Sequence, residues 1–131
     1  MIGVDTNVIV RLLTADAPGQ YGAALSFFRD RTTSDPAYVS AITLAETVWV
    51  LRRTYGFSAA EITNSVRMIL DSDDFVVEES AALRFIQDQA ASPALIADYL
   101  IAHLGKVAGC RSTVTFDKRA AKAVPGMELL A

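Results

Sequence analysis

Short apolar runs alternate with longer stretches of helical periodicity along the chain. Ile2-Gly3-Val4 reads as a short buried strand. Asn7 to Leu13 reads as a helix, with Val8, Ile9, Leu12 and Leu13 on its apolar side and Asp5 or Thr6 able to cap its start. Pro18-Gly19 punctuates, and Tyr21 to Arg29 predicts a second helix carrying Ala24, Leu25, Phe27 and Phe28. Asp35-Pro36 marks a turn before a strand at Tyr38-Val39-Ser40. Thr43 to Tyr55 predicts a helix closed by Gly56, and Ser58-Ala59-Ala60-Glu61 has capping-box spacing for another that runs to about Leu70. Phe75-Val76-Val77 predicts a strand and Ser80 to Gln89 a helix. Ser92-Pro93 opens a helix to about Val107, with proline in its first turn, and Gly109-Cys110 ends it. A strand at Ser112 to Phe116, a turn at Val124-Pro125-Gly126 and a last short strand at Met127 to Leu130 complete the pattern.

Strands that alternate with helices imply right-handed βαβ units and a parallel sheet covered on both faces, an α/β fold. At 131 residues the chain is expected to be a single domain over 1–131, large enough to bury a sizeable core. Ligands of such sheets bind outside the carboxyl ends of the strands. Asp5 and Asp117 follow the first and fourth strands and fall at that edge.

Two further acids interrupt helical patterns. Glu46 has Ile42, Thr43, Trp49 and Val50 one turn away, and Asp98 has Ala94, Leu95, Ile101 and Ala102. Asp is also a poor helix former. Singly, each acid has an ordinary explanation: an ion pair with an arginine for Glu46 or Asp98, a helix cap or turn for Asp5 or Asp117. Together, Asp5, Glu46, Asp98 and Asp117 suggest carboxylates gathered around a shared cation with oxygen ligands, since a lone buried carboxylate is costly.

The formal net charge is −3, with an isoelectric point near 5.0, unlike the basic footprint usual for nucleic-acid binders. Carboxylates around a divalent metal are largely neutralised, so any nucleic-acid contact would rest on local basic clusters. No apolar stretch reaches membrane-spanning length and no secretory signal is visible. The single cysteine, Cys110, cannot form an internal disulfide and reads as a small buried residue. These features favour the cytoplasm. One histidine, His103, without a cysteine cluster argues against zinc, and the acid run Asp71, Asp73, Asp74 reads as a solvated turn.

Four passages carry a family resemblance. Val4-Asp5-Thr6-Asn7 is similar to an opening strand followed by D-[ST]-N. Ser40-Ala41-Ile42-Thr43-Leu44-Ala45-Glu46 is similar to an S-x-x-x-x-x-E helix start. Ile96-Ala97-Asp98-Tyr99-Leu100-Ile101-Ala102 is similar to F-A-D-x-L-I-A, and Thr115-Phe116-Asp117-Lys118 to T-F-D-K at a strand end. In order and spread over nearly the whole chain, they resemble a PIN-domain ribonuclease, and within that group a VapC-type toxin of a type II toxin–antitoxin system. The resemblance implies a three-layer α/β/α sandwich with a central parallel sheet and the acids meeting at one end. Many relatives carry a further Asp three residues before the third acid, where this chain has Leu95. That departure points toward one-metal occupancy or weaker metal affinity.

The implied activity is hydrolysis of RNA phosphodiester bonds, leaving a 5′-phosphate and a 3′-hydroxyl, with Mg²⁺ or Mn²⁺ suited to carboxylate and water ligands. Asp5, Asp98 and Asp117 are the expected direct or water-mediated ligands, with Glu46 holding a ligand water or orienting the nucleophile. Thr6, Asn7 and Thr115 would fix the carboxylates by hydrogen bonds. Arg11, Arg52, Arg53, Lys118 and Arg119 are candidate phosphate contacts, or else an ordinary solvated face. A VapB-type antitoxin is the implied partner, laid across apolar surface near Trp49, Tyr55 and Phe57, and homodimerisation is typical of the family. Competing classes fit less well. A signalling receiver needs a mid-chain Asp where the middle strands end at Ser40 and Val77. A haloacid-dehalogenase-type phosphatase needs D-x-D where Asn7 stands. A catalytically weak PIN-like partner-binding module is disfavoured by the four acids and favoured slightly by Leu95.

Overall fold

The computed structural model describes residues 1–88 and 92–131; the predicted end of the fifth helix at Gln89 lies outside the described residues. The chain packs as two compact units, Met1–Ser80 and Ala81–Ala131. Every strand pairing within them is parallel, and helices follow the strands, as an α/β/α layering requires. Among the described residues, no helix is long and apolar enough to cross a membrane.

The first unit holds β1 (Ile2–Gly3), α1 (Thr6–Thr14), α2 (Pro18–Arg29), β2 (Ala37–Val39), α3 (Ala41–Arg53), α4 (Ala59–Asp71) and β3 (Phe75–Val77). Its sheet runs in the order β1-β2-β3, with Ile2 opposite Ala37 and Tyr38 opposite Val76. The ladder continues past the short strand limits: the Val4 amide donates to the Tyr38 carbonyl at 3.0 Å and the Glu78 amide to that of Val39 at 2.9 Å. Ile9, Val39, Leu44, Leu51, Ile62, Val66 and Ile69 are almost wholly buried and form the apolar interior. Thr47, also buried, donates its hydroxyl to the Thr43 carbonyl at 2.7 Å, so no polar group of α3 is stranded inside.

Helix starts follow local side-chain chemistry. Ser40, directly after β2, accepts the Thr43 amide and starts α3 at Ala41, two residues earlier than its apolar pattern predicts. Ser58 and Glu61 form the predicted reciprocal capping box at α4. Pro18 opens α2 at its first turn, where its missing amide is harmless; the predicted break at Pro18-Gly19 is therefore a helix start. Gly56 takes the left-handed conformation (φ 66°) after α3, which its lack of Cβ permits.

The second unit holds most of α5 (Ser80–Asp88), a 3-10 turn at Pro93–Leu95, α6 (Ile96–Val107), β4 (Thr113–Thr115), α7 (Lys118–Ala123) and β5 (Met127–Leu129). β4 and β5 pair in parallel, joined by α7. The sequence pattern missed α7 because Lys118 to Ala123 carry no large apolar side chain to mark a face. Leu95, Ala102, Ala120, Val124 and Met127 form a small core, with Tyr99 against it and its hydroxyl donating to the Ala123 carbonyl at 3.0 Å. A Cβ on Gly105 would stand 3.0 Å from the Thr113 hydroxyl, so glycine lets α6 lie close to β4.

The α4 cap gives a direct test of this local logic. Ser58→Ala should destabilise the protein by about 1 kcal/mol, read by denaturant unfolding, and Ser58→Asp by much less. Equal losses for both would show that the cap contributes nothing.

Candidate catalytic site

The parallel sheet of the first unit presents three acids near the carboxyl ends of its strands or the start of α3: Asp5, Glu46 and Glu78. Glu78 is fully engaged, with one oxygen accepting the Ala41 amide (2.9 Å) and the other the Tyr38 hydroxyl (3.1 Å). It acts as a brace for α3, a role the sequence did not signal. Asp5 and Glu46 are different. Thr6, 8% exposed, donates its amide to Asp5 Oδ1 at 2.7 Å and its hydroxyl to Glu46 Oε2 at 2.8 Å. One threonine thus fixes both carboxylates, and the second oxygen of each has no hydrogen-bond donor among the described residues.

Asp5 is therefore the N-cap that a strand-to-helix turn favours, and its side chain remains open to solvent. Beside it, an open groove of about 660 Å³ has Asp5, Asn7 and Arg11 on one wall and Gln20 and Phe27 on the other. Arg11 is not a free cation. Its guanidinium donates to Gln20 and to the Tyr55 hydroxyl (3.1 Å), and Tyr55 in turn donates to Asp16 at 2.8 Å. Among the predicted phosphate contacts Arg11 is thus tied into a structural brace between α1, α2 and the end of α3, whereas Arg52 and Arg53 are exposed.

In the second unit, Asp98 lies in the first turn of α6, where the positive end of the helix favours a carboxylate. Asp117 follows β4 and caps α7 by accepting the Ala120 amide at 2.9 Å. Its own amide donates to the Thr115 hydroxyl at 3.0 Å, so Thr115 sets the direction in which Asp117 leaves the strand. Asp98 is half-buried, and its carboxyl is held above the ordinary aspartate range, first by burial and then by the charge of Asp117, with Arg119 partly offsetting both. Arg119 also donates to the Ser92 hydroxyl at 3.1 Å, while Lys118 is exposed.

Three of the four acids differ from the buried setting their sequence neighbours suggested: Asp5, Glu46 and Asp117 are exposed, because Ile42 and Trp49 beside Glu46 also face solvent. None of the four forms an ion pair within 4 Å with a described residue, which removes the arginine-pair explanation for Glu46 and Asp98. They stand as two carboxylate pairs, one in each unit, and among the described residues no group of three or more acid, histidine or cysteine side chains could hold a metal ion. The donor chemistry of both pairs fits a hard divalent cation: only oxygens, and no ion pair within 4 Å with a described residue to neutralise them. Leu95, at the position of the absent fifth acid, is 6% exposed and belongs to the core of the second unit, where a carboxylate would have no partner. Cys110 is exposed, correcting its reading as a buried residue: its amide closes the end of α6 on the Gly105 carbonyl and the thiol projects outward.

The raised pKa of Asp98 has a consequence for stability. The folded chain binds this proton more tightly than the unfolded chain does, so Asp98 weakens the fold as pH rises through the carboxylate range and stays unfavourable above it. Asp98→Asn should therefore raise the melting temperature at neutral pH in chelator, with the gain shrinking as pH falls through the raised folded-state pKa and gone below the ordinary aspartate pKa. A variant less stable than the parent at neutral pH in chelator would refute an unneutralised carboxylate at this position.

Searches of curated proteins and of solved structures return no match. The PIN domain family matches residues 2–125, a span that includes Asp5, Glu46, Asp98 and Asp117. This is a nuclease-type fold that generally works with divalent metal ions. With nearly its whole length matched, the chain belongs to the PIN domain family.

Proposed function

We propose that this protein is a metal-dependent endoribonuclease, the toxin component of a VapBC-type pair acting in the cytoplasm. The observation that supports the reading most directly is the pairing of the PIN-motif acids, none of them in an ion pair with a described residue: Asp5 with Glu46 through Thr6, and Asp98 beside Asp117. The pair Asp5 and Glu46 in the first unit and the pair Asp98 and Asp117 in the second would each offer carboxylate ligands to Mg²⁺, or Mn²⁺ in its place. When bound, the ion supplies Lewis acidity for phosphodiester hydrolysis, giving a 5′-phosphate and a 3′-hydroxyl.

The chain's own residues supply position and charge. Thr6 keeps Asp5 and Glu46 in fixed relation, so neither must be ordered when substrate arrives. Thr115 and the first turn of α7 do the same for Asp117. Asn7, exposed one residue beyond Thr6, offers an amide to substrate or to an ordered water. Arg52, Arg53, Lys118 and Arg119 are the cations available to the RNA backbone, which a chain of net charge −3 must attract locally. A VapB-type antitoxin would restrain the toxin, and the active form would be a homodimer. Tyr55 and Phe57 are half-buried, and the Tyr55 hydroxyl is committed to Arg11 and Asp16, so of the predicted antitoxin surface Trp49 alone is widely exposed.

The deciding assay is cleavage of total cellular RNA by purified protein in Mg²⁺ or Mn²⁺ against EDTA. Asp5→Asn and Asp98→Asn should each lose at least about 100-fold in activity with the fold intact by circular dichroism, while Asp71→Asn changes little. Metal-independent cutting, or full activity in either of the first two variants, would sink the proposal. Thr6→Val keeps the side-chain shape but removes the hydroxyl from Glu46. It should reduce activity or metal affinity about 10- to 100-fold, with Thr6→Ser restoring most of it. Wild-type behaviour of Thr6→Val would show that the Thr6–Glu46 bond is not used.

A further inference from the structure

α3 has two faces of opposite character. Leu44, Thr47, Val48 and Leu51 are buried, so the helix is well anchored. On the other side Ile42 is 72% exposed and Trp49 60% exposed, with Glu46, Arg52 and Arg53 exposed around them. Ile42, Glu46, Trp49 and Arg53 recur at helical spacing and form one stripe. Trp49 is the only tryptophan of the chain. Leaving it in water forgoes the large gain of burying an indole, although the opposite face of the same helix had a core to offer.

We propose that this stripe is a track for single-stranded RNA, with Trp49 stacking on a base and Arg53, assisted by Arg52, holding a neighbouring phosphate. The inference rests on the nuclease reading of Glu46 and extends it to a substrate-positioning surface. Along the helix axis Trp49 lies about 4.5 Å beyond Glu46, and Arg53 about 6 Å beyond Trp49. Each step is comparable with one to two nucleotides of a stacked strand at about 3.4 Å each. Base–aromatic stacking beside unpaired cations is the common mode of single-strand binding and tolerates any sequence, since every base has a flat face. Neither Arg52 nor Arg53 forms an ion pair with a described residue, so both are available to phosphate. A protein partner would have to cover the Glu46 carboxylate one turn from the indole, and acidic residues are depleted at protein interfaces.

The lone tryptophan reports its own ligand. Titrating wild-type protein in EDTA with a mixed-sequence single-stranded RNA oligonucleotide should quench its fluorescence. By anisotropy of a labelled oligonucleotide, Trp49→Ala should bind about tenfold or more weakly and Trp49→Phe close to wild type. Arg53→Ala should weaken binding and make the dependence on salt shallower by about one charge. Binding is read in chelator, so it stands or falls separately from metal-dependent cleavage. RNA affinity unchanged in Trp49→Ala overturns the track. So does loss of self-association by Trp49→Ala in sedimentation with RNA binding intact, which would make the stripe a protein interface. The melting temperature of Trp49→Ala should match the parent, because the indole contributes little to the core.

Discussion

Carboxylates held in place by local hydrogen bonds, none of them in an ion pair with a described residue, are the feature on which the candidate site depends. The Asp98 carboxyl is held above the ordinary aspartate range, first by burial and then by the charge of Asp117, with Arg119 partly offsetting both. A fold selected for stability alone would separate these groups or set an arginine between them. Instead, local hydrogen bonds hold the acids in place. Thr6 grips Asp5 and Glu46 with two donors, and Asp117 is fixed by Thr115 on one side and the first turn of α7 on the other. At Asp98 the arrangement disfavours the ionised carboxyl, a cost that a fold optimised for stability alone has no reason to keep.

The same residues explain how a small chain positions acids with little framework. Asp5 and Asp117 each follow a strand of a parallel pair and each cap the next helix. Capping one helix needs one carboxylate oxygen, which leaves the other for chemistry. Structural and functional explanations of these aspartates are therefore not rivals. Glu78 provides the contrast, since both of its oxygens are taken by Ala41 and Tyr38 and nothing remains for a ligand.

In the proposed reading, α3 links the fold to the substrate. Its inner face is tightly packed, so its outer face is held rigidly and can position a base or phosphate at little entropic cost. The brace of Arg11, Gln20, Tyr55 and Asp16 ties the end of this helix to α1 and α2. That brace also removes Arg11 from the pool of free cations and concentrates the candidate phosphate contacts at Arg52 and Arg53.

The sequence by itself determined the order of the elements apart from α7, the parallel character of the sheet and the motifs in which the four candidate acids stand. Alternating apolar runs, capping residues such as Ser58 and D-T-N or T-F-D-K motifs are local signals that need no distant partner to be read. Six-residue α7 escaped because it has no apolar face, and the early start of α3 escaped because Ser40 acts through one hydrogen bond rather than through periodicity. Tertiary structure alone decided which groups are spent and which are free. Arg11 looked as available as Arg53, yet Gln20 and Tyr55 consume it, and Glu78, which no motif marks, is taken up by Ala41 and Tyr38. Exposure of Trp49 was likewise invisible in a helical pattern, because periodicity shows which residues share a face but not whether anything covers it.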